Sequence, residues 1–165
     1  MGQPLINIKE NKKLFLDLVS SIKRDGIEEL VAFLENSDFF IAPASTRFHC
    51  SLPGGLALHS LNVYHMFEHK CESLPFKSIL GGIPEDSRKI ITLFHDICKT
   101  YMYEIDYRNK KIYSDTGSKK DEKGRYDWAA VEYYTVNDRI PYGHGEKSVM
   151  MLEEYLKLQP FERYA

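Results

Sequence analysis

The sequence predicts a mainly α fold carrying one small antiparallel β insert near residues 101–136. Three observations predict it. Apolar residues recur at helical spacing through both ends of the chain, as in Leu14, Leu18, Val19 and Ile22 and again in Val149, Leu152 and Leu156. Between residues 101 and 136 the texture changes to Tyr- and Ile-rich runs, "YMYEIDYRNKKIYS" and "YDWAAVEYYTV", typical of strands. No internal repeat or low-complexity tract interrupts a chain of 165 residues with 43% hydrophobic content, which suits one domain with a core of its own.

The elements follow in order. Residues 8–24 form a first amphipathic helix, with Gly26 as its stop signal. "IEELVAFLEN" (27–36) reads as a second, short helix. A connector with Pro43, Pro53 and the glycine pair Gly54-Gly55 leads into a longer helix, "LALHSLNVYHMFEHKCESL", broken by "LPFKSILGGIP". Pro84, at its preferred first-turn position, opens "PEDSRKIITLFHDICK" as one helix. In the insert, "RNKK" reads as a turn and "DTGSKKDEKGR" as an exposed loop tip. Asn137, Asp138 and Pro141 end it, "HGEKSVMMLEEYLKL" returns to helix, and "PFERYA" reads as the first turn of another.

The formal net charge of −2 provides no basic footprint, which argues against long nucleic acids as partners. Cys50, Cys71 and Cys98 are odd in number and widely spaced, so free thiols are expected rather than a disulfide framework or a zinc ribbon. The first residues lack a signal-peptide core, and Ile6 stands where a myristoylation pattern needs Ser or Thr. No apolar run reaches the roughly 18 residues of a membrane span, so the expectation is a cytoplasmic protein with no membrane contact.

The chemistry concentrates in "LFHDICKTYMYE". His95 and Asp96 sit beside Ile90, Ile91, Leu93, Phe94 and Ile97. A carboxylate among apolar side chains is costly unless it is paired or holds a metal. On a helix, adjacent residues diverge by about 100°, yet an imidazole and a carboxylate can still meet at an ion between them. One nitrogen and one oxygen donor suit a divalent transition metal. An ion pair or an Asp–His hydrogen bond is the plainer alternative. His59, after the glycine pair, faces inward or sideways and reads either as a further ligand or as a hydrogen-bonded core histidine. His144 sits between glycines at a helix start.

The order His … His-Asp across separate helices resembles the HD-domain metal-dependent phosphohydrolase superfamily. "PASTRFHCSLPGGLALHSLNVY", "LFHDICKTYMYE" and "PYGHGEKSV" look like blocks of a bacterial and phage subgroup of it. The resemblance covers residues 43–165 and implies an HD-like helical bundle. The domain is then residues 1–165, with N-terminal helices in 1–40 and the HD-like core in 43–165, short of its C-terminal part. It implies His59, His95 and Asp96 as metal ligands, and His144 as a further one. The metal would be Mn, Fe, Co, Ni, Zn or Mg, with nitrogen donors disfavouring a pure Mg site. Such an ion polarises a phosphoryl oxygen and lowers the pKa of a water. Asp96 and Lys99 would act in catalysis, Lys99 as a point charge toward phosphate. The family normally adds an aspartate on a later helix, whereas no Asp or His follows His144 here. The implied activity is hydrolysis of a phosphate ester in a nucleotide or short nucleic acid, with a non-catalytic nucleotide- or partner-binding module as the alternative.

Three further residues complete the expected site. His49, Arg47 and Glu146 join Lys99 as candidates for substrate binding, although loop hydrogen bonding, a surface position and a helix-capping role respectively explain them as simply. His65 and His69, at i and i+4 but six positions from His59, read as surface residues. The aromatics of the insert, Trp128 among them, either stack a base or pack across strands.

Overall fold

The computed structural model describes residues 6–138, 140 and 142–165. The N-terminal Met-Gly and Pro141 lie outside the described residues. The described elements are α1 (Ile8–Ser20), α2 (Ile27–Asn36), α3 (Gly55–Glu72), α4 (Lys77–Leu80), α5 (Glu85–Leu93), a 3-10 turn Ile97–Lys99, β1 (Tyr103–Tyr113), β2 (Lys119–Asp121), β3 (Gly124–Val136), α6 (His144–Glu153) and a 3-10 turn Pro160–Arg163.

Helix accounts for 45% of the chain and strand for 17%, so the fold is mixed α and β, and the expectation of a mainly α bundle is corrected. Both sides of that balance moved. The sheet is larger than an insert with a tight turn at "RNKK": residues 108–111 run straight through β1, which pairs with β3 over eleven positions from Tyr103↔Val136 to Tyr113↔Tyr126. Within the expected loop tip, Lys119–Asp121 pair with β3 as a third strand, giving the order β1-β3-β2. Lys111 explains why a charged segment becomes strand. Its ammonium binds Asp121 at 2.6 Å and lies 4.3 Å from the Tyr126 ring centroid. Such cross-strand pairs stabilise a ladder that composition alone disfavours.

The helices are correspondingly shorter. The segment from Pro84 does not run to Lys99: α5 ends at Leu93, and Phe94 takes φ −116° and ψ 5°. His95 and Asp96 therefore occupy a turn between α5 and the 3-10 segment, not a helix face. The break is fixed from the core. Phe94 is fully buried with its ring 5.8 Å from Phe15, edge to face, and Phe15 packs at 4.9 Å on Phe39 and 5.7 Å on Phe40. Leu30, Leu34, Leu56, Ile90, Leu93, Ile97 and Leu156 complete this core, with α3 lying against α5 and α1 against both.

Two other corrections are local. "LPFKSILGGIP" contains the single-turn α4. "PFERYA" forms a 3-10 turn closed by a Gln159–Glu162 capping box. Glu162, its side chain fully enclosed, also receives the Arg24 guanidinium through both nitrogens, which ties the C-terminal turn back to the α1–α2 link. No helix among the described residues is long and apolar enough to cross a membrane. Cys50, Cys71 and Cys98 are all free thiols.

Candidate metal centre

His59 begins the second turn of α3, and the glycine pair sets how that helix starts. Gly54 has φ +79°, a conformation that L side chains rarely adopt. A Cβ on Gly55 would collide with the Cys50 carbonyl. The connector can therefore lie on the helix start. Gly55, Leu56 and Ala57 are buried and His59 is half-buried one turn on. The α5 turn brings the other two donors. His95 Nδ1 lies 2.8 Å from the Thr92 carbonyl, so it donates there, and Nε2 faces His59 and Asp96.

The three donor atoms form a nearly equilateral triangle. His59 Nε2 and His95 Nε2 are 3.2 Å apart, His95 Nε2 and Asp96 Oδ2 3.3 Å, and His59 Nε2 and Asp96 Oδ2 3.5 Å. Ligands about 2.1 Å from one ion sit about 3.0 Å apart in octahedral and about 3.4 Å apart in tetrahedral arrangement. The triangle matches one face of either polyhedron. His59, His95 and Asp96 are thus a group that could hold a metal ion. The chemistry of the donors fits as well: two imidazoles and one carboxylate, with His95 oriented by a backbone carbonyl in the way metal-bound histidines usually are.

Electrostatics favours a cation at the centre. Burial opposes ionisation of Asp96, but hydrogen bonds from His95 and Lys99 overcome it and hold the carboxyl well below the usual carboxylate range. Burial, and then the neighbouring His95, pull His59 down to about 4, so its imidazole is neutral near pH 7 with a lone pair to offer. His95 moves the other way: burial lowers it, but hydrogen bonding to Asp96 and Thr92 raises it overall. The cluster therefore attracts one positive charge, proton or metal, into the space between the three side chains, and the two compete.

Asp96 already has one counter-charge. Lys99 Nζ lies 2.8 Å from Asp96 Oδ2 and 2.8 Å from the Ala44 carbonyl. Lys99 is buried rather than a solvated helix-end lysine. The Tyr103 hydroxyl donates to that same carbonyl at 3.1 Å, and burial next to Asp96 pushes its pKa up to about 12.

No family model, curated protein or solved structure matches the chain.

The remaining candidates are distributed around the triangle. His49 is exposed and its ring centroid lies 4.6 Å from that of His59, so it stands at the mouth of the site. His144 does not join the converging donors. Its exposed ring is at the start of α6, with Nδ1 3.5 Å from Cys98 Sγ. The helix reaches the centre through Ser148 instead, whose hydroxyl donates to the His95 carbonyl at 2.8 Å. Glu146 is exposed in the first turn of α6, its carboxylate beside Gly143, and makes no capping hydrogen bond there. Arg47 is exposed on the connector, in the field of Tyr133. His65 and His69 are exposed, as surface residues would be. Thr92, Ala44, Tyr103 and Ser148 were not legible as site residues. Three of them act at this site through carbonyls or hydroxyls that carry no pattern in sequence, and only the phase of α6, four residues after His144, could have pointed to Ser148.

Proposed function

We propose that the chain is a divalent-metal-dependent phosphohydrolase of the HD type, acting on a phosphate ester of a nucleotide or short nucleic acid. The observation that carries the proposal is the convergence of His59, His95 and Asp96 on one point at metal-ligand spacing. A divalent ion there would supply Lewis-acid polarisation of a phosphoryl oxygen and an activated water. His95 keeps its orientation through Thr92, and His59 through the glycine-set start of α3. Asp96 meets both imidazoles and Lys99 through Oδ2, leaving Oδ1 to orient a water nucleophile. Lys99 offsets part of the negative charge that builds on phosphate oxygens in the transition state. His49, exposed at the mouth, is placed to donate to the substrate.

A depression of about 400 Å³ beside His59, lined by Asn62, Val63, Met66, Phe67 and Lys70, has the size and apolar floor to take a nucleoside. A larger cleft of about 530 Å³ includes Cys98 and Met150 but none of the three donors, so it is not the site of this chemistry.

One observation favours a second reading. The Lys99–Asp96 pair gives the carboxylate a counter-charge without any ion, as in a non-catalytic module that binds a nucleotide or partner with a degenerate metal site. Metal analysis of purified protein, together with a phosphatase panel under Mn and Co, separates the two. The wild type should hold metal and turn over a phosphate ester, while His95→Ala and Asp96→Ala lose both. Equal metal content in all three proteins would remove the metal centre. Bound metal with no turnover across the panel would leave the second reading standing.

A further inference from the structure

We propose that β1 pairs with β1 of a second copy of this chain, joining two three-stranded sheets into one continuous sheet of six. The sheet is built as an interface. Nine of the eleven β1 residues are exposed, and Ile105, Tyr107 and Trp128 stay about half exposed or more. None of its residues belongs to the hydrophobic core. β1 lies at the edge of the sheet, and no other described strand covers its outer side. A long, uncovered edge strand is a template for another strand.

The orientation of the backbone is determined. The Met102 carbonyl accepts from the Asn137 N–H at 2.9 Å, and the Ser114 N–H donates to the Arg125 carbonyl at 3.1 Å. Both belong to the even-numbered set, which therefore faces β3. In an antiparallel ladder this alternates, so Tyr103, Ile105, Tyr107, Asn109 and Lys111 turn their N–H and C=O groups outward. The Tyr107 N–H agrees with this: it is turned away from β3 and held by Asp106 Oδ1 at 2.7 Å, a bond within the chain that Tyr107 exchanges for one across the two-fold axis when the ladders join.

The charges then select one partner and one register. The first half of β1 is acidic at Glu104 and Asp106, and the second half is basic at Arg108, Lys110 and Lys111, the last already paired with Asp121. Outward residues must face outward residues across a new ladder, so a two-fold axis can fall on a residue but not between two. An axis on Tyr107 sets Glu104 against Lys110 and Asp106 against Arg108, twice each by symmetry. These are the non-hydrogen-bonded pairs, where side chains approach most closely. An axis on Arg108 sets Arg108 against itself, and an axis on Asp106 does the same for Asp106. The free stretch of the opposite edge, residues 127–136 of β3, carries Asp127 and Glu132 with no base, so a copy of it finds no counter-charge. The helical body joins β1 at the Tyr103 end, and antiparallel pairing puts the two bodies at opposite ends of a ladder about 27 Å long. The interface is isologous, as two-fold contacts require.

Sedimentation velocity over a concentration series tests the pairing, with exposed, charge-only variants whose folding is checked by circular dichroism. The wild type should show reversible dimerisation. Glu104→Lys/Asp106→Arg makes the strand wholly basic and should be monomeric. Arg108→Asp/Lys110→Glu makes all four facing positions, 104, 106, 108 and 110, acidic, with Lys111 held on Asp121, and should be monomeric too. An equimolar mixture of the two variants should dimerise again, because the Tyr107 register then pairs each acid with a base. A wild type that stays monomeric up to about 1 mM, a dimer that survives both charge reversals, or variants that fail to recombine on mixing would each overturn the proposal.

Discussion

Lys99→Met tests how the centre handles its buried charge. In the wild type, Lys99 Nζ lies 2.8 Å from Asp96 Oδ2, and both side chains are about one-tenth exposed. At an effective dielectric of about 20, opposite charges at this distance attract by about 6 kcal/mol, much of it offset by desolvation of both groups. Met preserves the length of the side chain and removes the charge. What remains is a buried carboxylate without its lysine, a loss that costs about 3–5 kcal/mol when nothing else compensates. Here His95, its pKa already raised, can take a proton and compensate in part, so about 3 kcal/mol is expected in the metal-free protein. For a chain of this size that corresponds to a fall in Tm of about 6–12 °C.

A divalent ion changes the balance. Bound at about 100 times its Kd it stabilises the native state by about 2.7 kcal/mol, and in the variant it also takes over the counter-charge role of Lys99. The Tm gain on adding Mn or Zn should therefore be larger for Lys99→Met than for wild type. The assay is thermal unfolding by circular dichroism, first with chelator and then with metal at constant ionic strength. Asp96→Asn and the double variant complete a cycle, in which the two changes should be strongly non-additive. A loss below about 1 kcal/mol, or two additive changes, would refute the account of Lys99 as the counter-ion of Asp96. A metal response identical in wild type and variant would refute the idea that ion and lysine share one carboxylate.

Two further predictions concern how the site is built. Gly55→Ala drives a Cβ into the Cys50 carbonyl and pushes α3 away from the connector. It should lower stability by about 2 kcal/mol or more and also weaken metal binding, as titration calorimetry would show, whereas Gly82→Ala meets open space and should leave metal binding unchanged. The metal-free protein should also lose stability in mild acid. The folded pKa of His59, about 4, lies below its ordinary value of 6.5. Its contribution is thus fully present above pH 6.5 and is lost as pH falls through the window from 6.5 to 4, by at most about 3 kcal/mol. His95, raised, works in the opposite sense, stabilising at low pH and losing that effect as pH climbs through its folded value. Tm against pH in chelator should fall more steeply below pH 6.5 for wild type than for His59→Gln. Parallel curves would show that His59 is not the group responsible.

Particular elements show where sequence reasoning reached its limit. α2 is legible to the residue, because a glycine stop precedes it and its apolar stripe is clean. α3 begins at the glycine pair, as expected. The sequence extends a helix through His95 and Asp96 because "IITLFHDICK" keeps an apolar pattern across the point where the backbone leaves the helix at Leu93. What ends α5 is the burial of Phe94 against Phe15, residues nearly eighty positions apart. The sheet was underestimated for a similar reason. "RNKK" has turn composition, but Lys111 finds Asp121 and Tyr126 only once the strands have met.

The sequence by itself determined which residue types the chain offers a metal, and put forward His59, His95, Asp96 and His144 as the ones to consider. Imidazole and carboxylate chemistry belongs to the side chain and travels with it. Only the tertiary structure decided that the first three of these meet within 3.5 Å, that His144 stands apart beside Cys98, and that Lys99 is buried against Asp96. Convergence is a property of how α3, α5 and the connector pack. The distances that turn a set of residues into a site are set by core contacts that no local stretch of sequence contains.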